Sequence, residues 1–120
     1  MLPLASSSDN VLEVTDYRDV IVVFTKKKWE QKSQKHPWLL NKQFLSYVEK
    51  ALVKPTEVWE DYNRPKNIHC YYYRYGINMW AKVVVWVHPG RNEVVTAFDY
   101  TGIYFVKESK YPELRRIYES

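Results

Sequence analysis

One pattern in the middle of this sequence constrains the fold more than any other. Large apolar residues recur there at four-residue spacing, which places them on one side of an α-helix. The members of this stripe are Leu40, Phe44, Val48 and Leu52. Pro37 suits the first position of such a helix, and Pro55 cannot continue it. The spacing therefore predicts an amphipathic helix over residues 38–53.

Most of the remaining sequence is typical of β-strands. Runs of β-branched and aromatic residues alternate with turn residues, which is the pattern of short strands joined by tight loops. We predict strands over residues 11–15, 20–25, 56–60, 70–75, 80–87 and 93–99, with an edge strand at 103–106. The turn at 88–92 makes a hairpin of the last two main strands, and residues 61–67 form a loop. Two short helices are expected, over 26–35 and 112–118.

The order of these elements indicates the fold class. Strands, then helices, then a run of strands is typical of an α+β protein in which helices cover one side of a sheet. We therefore expect N-terminal strands and helices packed on one face of a small, mostly antiparallel β-sheet of about four strands. With 120 residues, the chain suits one domain over 11–120, preceded by a flexible polar arm at 1–10.

Composition excludes several classes of protein and site. The single cysteine, Cys70, rules out an intramolecular disulfide framework and a multi-cysteine zinc site, and we expect neither metal nor cofactor. The three glycines provide no phosphate-cradling loop. No apolar run approaches the roughly 20 residues of a membrane helix, and the first ten residues do not resemble a secretory signal. The expectation is a cytoplasmic protein with no membrane partner.

Positive charge is concentrated in one segment. The whole chain carries a formal net charge of +4, whereas residues 26–54 contain eight lysines and only two glutamates. Such a segment attracts polyanions such as RNA. Lys32, Lys35, Trp38 and Tyr73 are the candidate RNA contacts, because cations bind phosphates and aromatic rings stack on bases. A solvated helical face accounts for the same charges without any ligand.

His36 is the first candidate for chemistry. It directly precedes Pro37 and is predicted at or near the N-cap of the long helix. The partial positive charge of a helix N-terminus favours the neutral imidazole that a general base requires, and Lys32 and Lys35 act in the same direction. The alternative is a histidine that only caps the helix.

Two further candidates lie in the predicted strands. Alternation along the strand 93–99 puts Val94, Thr96 and Phe98 on one face, so that the Thr96 hydroxyl lies among apolar neighbours and needs a partner. It either lines a cleft or bonds to the backbone. Arg74 stands among tyrosines, where it either reaches a phosphate or simply packs over the rings.

The order of these features resembles the barnase–EndoU–colicin–RelE-like nuclease superfamily, particularly its phage-associated and polymorphic-toxin branches. The similarity covers roughly residues 20–100. Its elements are the apolar strand Ile21-Val22-Val23-Phe24, the basic segment that ends in Lys35-His36-Pro37, the long helix, a tyrosine-rich strand, the apolar strand 83–87 and the strand Val94-Val95-Thr96-Ala97-Phe98.

The resemblance implies a function and a set of roles. Members of the superfamily are generally metal-independent ribonucleases, in which the 2′-hydroxyl attacks the adjacent phosphate to give a 2′,3′-cyclic phosphate. By this resemblance His36 is the general base or acid, and Thr96 binds or orients the scissile phosphate. Arg74, Lys82 and Lys32 all qualify as the cation that stabilises the transition state. An inhibitor protein is a possible partner. The alternative is a non-catalytic RNA-binding or protein-interaction module.

Overall fold

A computed structural model describes residues 9–61, 67–89, 91–101 and 114–120. Within these ranges the chain forms seven strands, two α-helices and one 3-10 turn. In chain order they are β1 (Asn10–Thr15), β2 (Ile21–Thr25), α1 (Lys26–Ser33), the 3-10 turn (Pro37–Leu40), α2 (Lys42–Val53), β3 (Glu57–Asp61), β4 (Ile68–Gly76), β5 (Met79–Val87), β6 (Asn92–Thr101) and β7 (Leu114–Glu119).

The strands form one mixed sheet in the order β1-β2-β6-β5-β4-β3-β7. The α+β class is confirmed, but the prediction of about four strands was too low, since the described residues contribute seven. Neighbouring strands are antiparallel except β2 and β6, which run parallel. The sheet is larger than predicted because the short strands β1, β2 and β7 all join it.

The end of the chain differs from its prediction. The prediction of a helix over 112–118 is wrong, because Leu114–Glu119 is a strand that pairs antiparallel with β3. Backbone hydrogen bonding to β3 outweighs the weak local preference of this segment for helix. The predicted edge strand at 103–106, most of the predicted loop 61–67 and residues 1–8 of the predicted arm lie outside the described residues.

The long helix begins later than predicted. Pro37–Leu40 forms a 3-10 turn, and α2 starts at Lys42 with Asn41 as its N-cap. The side-chain oxygen of Asn41 accepts a 3.1 Å hydrogen bond from the Phe44 backbone N–H, so Asn41 satisfies a donor that would otherwise be unpaired. This break moves Leu40 out of the apolar stripe, and Leu40 is 58% exposed, whereas Leu39 is fully buried. The prediction that Leu40 belongs to the apolar stripe of the long helix was therefore wrong.

The main core lies between α2 and one side of the sheet, which we call the helix face. Phe44, Val48 and Leu52 are buried there, as the four-residue spacing predicts. From the sheet, this core receives Val22, Phe24, Val58, Tyr71, Ala81, Val83, Val85, Val94 and Ala97. Trp29 of α1 packs against the same cluster, so both α-helices cover this side of the sheet.

A β-bulge in β6 decides which of its residues point away from α2. Val84 pairs with Thr96 but Val85 pairs with Val94, so Val95 is an extra residue in β6. The prediction that Val94, Thr96 and Phe98 share one face was therefore wrong. Val94 lies on the helix face, whereas Thr96 and Phe98 lie on the opposite side.

We call that side the opposite face, and directly paired residues form rows across it. One row is Arg74, Trp80 and Tyr100, the next is Tyr72, Lys82 and Phe98, and the third is Cys70, Val84 and Thr96. A smaller cluster of buried residues (Trp59, Cys70, Tyr72 and Trp80) packs on this side. The opposite face is thus aromatic, and the cationic side chains of Arg74, Lys82 and Arg116 lie among its rings.

Candidate functional site

Four aromatic rings contact one another in series where the 3-10 turn meets β6. We call this series the ring ladder, and its members are Trp38, His36, Phe98 and Tyr100. The Trp38 and His36 rings stack with centroids 4.8 Å apart and planes at 28°. The His36 ring meets Phe98 edge-on at 5.0 Å, and Phe98 stacks on Tyr100 at 5.6 Å. The ladder therefore carries a histidine between side chains of the type that stacks on nucleobases.

The ladder forms beside a part of the β6 edge with which no other strand among the described residues pairs. Strand β2 pairs with β6 at Asn92 and Glu93, near the start of β6. Farther along, the backbone carbonyl of Ala97 accepts a 3.0 Å hydrogen bond from Nε1 of Trp38. This hydrogen bond attaches the 3-10 turn to the edge of β6 at Ala97, the residue next to Phe98.

Thr96 and Lys82 lie beside the ladder on the opposite face. Thr96 is two residues before Phe98 on β6, and its hydroxyl is buried with no hydrogen-bond partner among the described residues. Lys82 is paired directly with Phe98, and its Nζ lies 5.8 Å and 5.9 Å from the ring centroids of Tyr72 and Tyr100. The structure therefore brings together His36, Thr96 and Lys82, three of the four residues predicted as catalytic.

The remaining predicted cations are Arg74, which lies on another strand, and Lys32 and Lys35, which directly precede His36 in the chain. Arg74 is exposed on the opposite face, two strands from β6, which corresponds to about 10 Å across the sheet. Its Nε donates a 3.3 Å hydrogen bond to the Gly76 carbonyl. Lys32 and Lys35 lie within one turn of His36, whose backbone N–H donates to the Lys32 carbonyl at 2.9 Å. The basic segment thus leads directly to the ladder.

Tyr73 is the predicted RNA contact that the structure separates from the others. It lies on the helix face, where its ring centroid is 6.2 Å from that of Tyr47 on α2. It also lines a cleft of about 590 Å³ together with Tyr17 and Tyr118. Because the sheet stands between this cleft and the opposite face, Tyr73 does not belong to the ladder site.

The surroundings of His36 differ from those that the sequence predicts. His36 precedes a single 3-10 turn instead of a long helix, and its side chain makes no capping hydrogen bond. A single 3-10 turn carries no sizeable macrodipole, because only aligned peptide units along a longer helix sum to such a partial charge. Nδ1 of His36 is buried with no hydrogen-bond partner among the described residues. Nε2 is therefore the ring nitrogen that is able to reach a substrate.

A buried polar network on the helix face has no counterpart in the sequence analysis. The Tyr71 hydroxyl donates a 2.6 Å hydrogen bond to Oδ2 of Asp16. Arg18 approaches both Asp16, at 4.0 Å, and Nδ1 of His69, at 3.4 Å. On its other side, Nε2 of His69 lies 3.7 Å from Oε2 of Glu60. Local sequence gives no signal for this network, since Asp16 and Tyr71 are 55 positions apart.

Protonation within the polar network follows from burial and charge. Burial, and then the positive charge of Arg18, lower the pKa of His69 below its ordinary value of 6.5, although Glu60 acts in the opposite direction. With Nδ1 accepting from the Arg18 guanidinium, the His69 proton lies on Nε2 and faces Glu60. Burial, and then the hydrogen bond to Asp16, raise the pKa of Tyr71, so its phenol stays protonated and donates.

The part of the chain that the structure describes contains neither a metal-binding cluster nor a helix that could span a membrane. There, no group of three or more His, Cys, Asp or Glu side chains is arranged to hold a metal ion. Likewise, none of the helices formed by the described residues has the length and apolar character needed to cross a membrane.

Comparisons of this chain with protein-family models, with curated proteins and with solved structures find no match. Function is therefore inferred from the residues of the ladder and their surroundings. Phe98 and Tyr100 are the members of the site that sequence reasoning missed as functional residues. Their two-residue spacing in a strand was the available signal, because it places two rings on the same face.

Proposed function

We propose that this protein is a metal-independent endoribonuclease that binds a single RNA strand on the Phe98 and Tyr100 rings of the ladder, beside His36. The observation that carries the proposal is the position of His36 within the ladder, with Lys82 paired to Phe98 and Thr96 two residues earlier on the same face. Rings that stack on bases are thus combined with a titratable group, a cation and a hydroxyl. The resemblance to the barnase–EndoU–colicin–RelE-like superfamily remains a prediction that points to the same chemistry.

The proposed reaction is an intramolecular transphosphorylation. The 2′-oxygen forms a bond to the adjacent phosphorus, the bond from phosphorus to the 5′-oxygen breaks, and the strand ends in a 2′,3′-cyclic phosphate. Nε2 of His36 acts either as base toward the 2′-hydroxyl or as acid toward the departing 5′-oxygen, and water serves for the other proton transfer. Lys82, supported by Arg74, stabilises the charge that develops on the phosphate. Thr96 donates a hydrogen bond to the phosphate once RNA binding exposes its hydroxyl, which is buried in the free protein.

The decisive experiment is cleavage of labelled RNA in EDTA by the wild type and by His36→Ala. One positioned acid–base group contributes about 10²–10⁴-fold in rate, and we expect a loss of that size. The products of the wild type should end in a 2′,3′-cyclic phosphate. His88→Ala is the matched control, because His88 lies in the turn between β5 and β6 and contacts Trp86 instead of the ladder. Equal cleavage by the wild type and His36→Ala would reject the proposal.

A second candidate function is binding of single-stranded RNA without cleavage. It is favoured by Nδ1 of His36, which has no hydrogen-bond partner among the described residues to set the tautomer of the ring. In this case wild-type protein binds RNA but gives no cyclic phosphate. The logarithm of the affinity should fall with the logarithm of salt concentration by about 0.7 for each phosphate contact.

The salt dependence of RNA affinity also tests whether the basic segment binds phosphates. Lys32 and Lys35 adjoin His36, and replacing both with alanine should reduce the magnitude of the salt slope by about 1.4, which is two contacts at about 0.7 each. Lys50→Ala is the control, because Lys50 is an exposed residue of α2, on the far side of the sheet from the opposite face. An unchanged slope in the double variant would exclude this segment as a phosphate-binding surface.

A further inference from the structure

Trp38 is better placed to hold the His36 imidazole than to bind a nucleobase. Its ring stacks on His36 with centroids 4.8 Å apart, and its Nε1 donates to the Ala97 carbonyl at 3.0 Å. We infer that Trp38 is a positioning residue that fixes the orientation of the His36 ring against β6. This inference rests on the proposed function for its catalytic consequence, although the contact itself is testable without any substrate.

The backbone of His36 is held firmly on both sides. Its N–H donates to the Lys32 carbonyl at 2.9 Å, and its carbonyl accepts from the Leu39 N–H at 3.0 Å. These bonds fix the position of Cα but leave rotation about the side-chain bonds free. Orientation of the imidazole must therefore come from contacts made by the ring itself.

No hydrogen bond within the part of the chain that the structure describes supplies that orientation. A functional histidine is commonly oriented by a hydrogen bond at its second ring nitrogen, which also sets the tautomer. In His36 the second nitrogen is Nδ1, and among the described residues it has no such partner. The remaining contacts are the Trp38 face, nearly parallel to the imidazole at 28°, and the Phe98 ring, inclined at 66°. Together they restrict the ring from two directions.

The Trp38 indole is itself fixed to the strand that carries the other candidate groups. Its N–H is bound to Ala97, which lies between Thr96 and Phe98 on β6. Movement of the indole would therefore shift His36 relative to Thr96. One ring face and the only polar atom of Trp38 are already engaged, which leaves less of the indole for stacking on a base.

Steady-state kinetics separates a Trp38 that positions His36 from a Trp38 that binds a nucleobase. If Trp38 positions His36, Trp38→Leu should lower kcat by about 10²-fold, the loss expected from a displacement of about 1 Å, with KM nearly unchanged. Trp38→Phe keeps an aromatic face against the imidazole and should recover most of kcat. If Trp38 instead binds a base, Trp38→Leu should raise KM and leave kcat unchanged, and that result overturns the inference.

A matched control variant is available in the same chain. Trp86 and His88 form a second tryptophan–histidine ring contact, with centroids 3.9 Å apart, outside the ladder. Trp86→Leu removes a similar ring from a similar neighbour, and it should leave kcat close to that of the wild type. A loss of kcat in Trp86→Leu equal to that in Trp38→Leu would indicate a general structural effect and overturn the inference.

Nuclear magnetic resonance tests the contact without RNA. The carbon-bound ring protons of His36 lie over the indole and should resonate upfield because of its ring current. The upfield shift should disappear in Trp38→Leu, persist in part in Trp38→Phe and be unaffected in Trp86→Leu. If the His36 signals are the same in the wild type and in Trp38→Leu, the inference is overturned but the proposed function is not. Wild-type protein that shows the shift but cuts no RNA overturns the proposed function instead.

Discussion

The Tyr71 hydroxyl on β4 donates a 2.6 Å hydrogen bond to Oδ2 of Asp16, in the loop between β1 and β2. Asp16 also accepts from the backbone N–H groups of Arg18 and Val20 through Oδ1. One buried carboxylate thus orders its own loop and attaches that loop to the centre of the sheet. A buried carboxylate requires such partners because water does not solvate it.

Loss of the Tyr71 hydroxyl should destabilise the fold. Tyr71→Phe keeps the ring but removes a hydrogen bond to a carboxylate, and we expect the free energy of unfolding to fall by about 1.5–3 kcal/mol. Chemical denaturation of the two proteins provides the measurement. Tyr73→Phe is the control, since the half-buried Tyr73 contributes a ring contact and should change stability by no more than about 0.5 kcal/mol. Equal stability of Tyr71→Phe and the wild type would contradict the role given to Asp16.

Stability should depend on pH through His69. Its folded-state pKa is lowered by burial and by Arg18, so below the ordinary value of 6.5 the unfolded chain binds a proton that the folded chain does not. Stability is therefore complete above about pH 6.5 and decreases as the pH falls toward the folded pKa, by up to about 1.4 kcal/mol per pH unit.

Replacement of His69 tests that pH dependence. His69→Gln removes the titrating group, and its free energy of unfolding should vary less between pH 7 and pH 5 than that of the wild type. His88→Gln is the comparison, because His88 lies outside the polar network, in the turn between β5 and β6, and the part of the slope that depends on His69 should persist in it. Parallel curves for the wild type and His69→Gln would show that His69 does not cause the pH dependence.

Two consecutive leucines should respond very differently to truncation. Leu39 is fully buried and Leu40 is 58% exposed, at the junction of the 3-10 turn and α2. Leu39→Ala should lower the free energy of unfolding by about 2–5 kcal/mol through lost contacts and a cavity. Leu40→Ala should change it by no more than about 0.5 kcal/mol. Thermal or chemical denaturation measures both, and a larger loss for Leu40→Ala would favour the continuous helix predicted from sequence.

Thr96→Val should separate activity from stability. The Thr96 hydroxyl is buried without a partner among the described residues, so a methyl group in its place should leave stability unchanged or raise it by about 1–2 kcal/mol. Under the proposed function, loss of a donor to the phosphate should lower kcat by about 10²–10³-fold. Cleavage assays and denaturation of the same preparation provide both numbers. Full activity in Thr96→Val would remove Thr96 from the site.

Thr25→Val is the matched comparison for the effect of Thr96→Val on stability. The Thr25 hydroxyl caps α1 by accepting from the Lys28 N–H at 3.1 Å. The same chemical change should therefore cost about 0.5–2 kcal/mol at Thr25. Equal stability effects at the two threonines would show that the Thr96 hydroxyl is bonded in solution.

The sequence by itself determined the class of fold and most of its elements. The spacing of Phe44, Val48 and Leu52 predicted the buried side of α2, because a helix repeats every 3.6 residues wherever it packs. β-branched and aromatic runs predicted the strands of the central hairpin β5–β6 for an equally local reason. His36 and Thr96 were also identified as candidates from short patterns, although their roles remain predictions.

Only the tertiary structure decided which side chains meet. The bulge at Val95 reverses the alternation of β6 and places Thr96 opposite to Val94, and such an extra residue leaves no mark in the pattern of apolar residues. The Asn41 cap broke the predicted helix and turned Leu40 outward. The ring ladder and the network from Asp16 to Glu60 join residues that are dozens of positions apart. Local propensity is read from neighbours in sequence, whereas these contacts depend on strand order and register, which the packing of the whole chain decides.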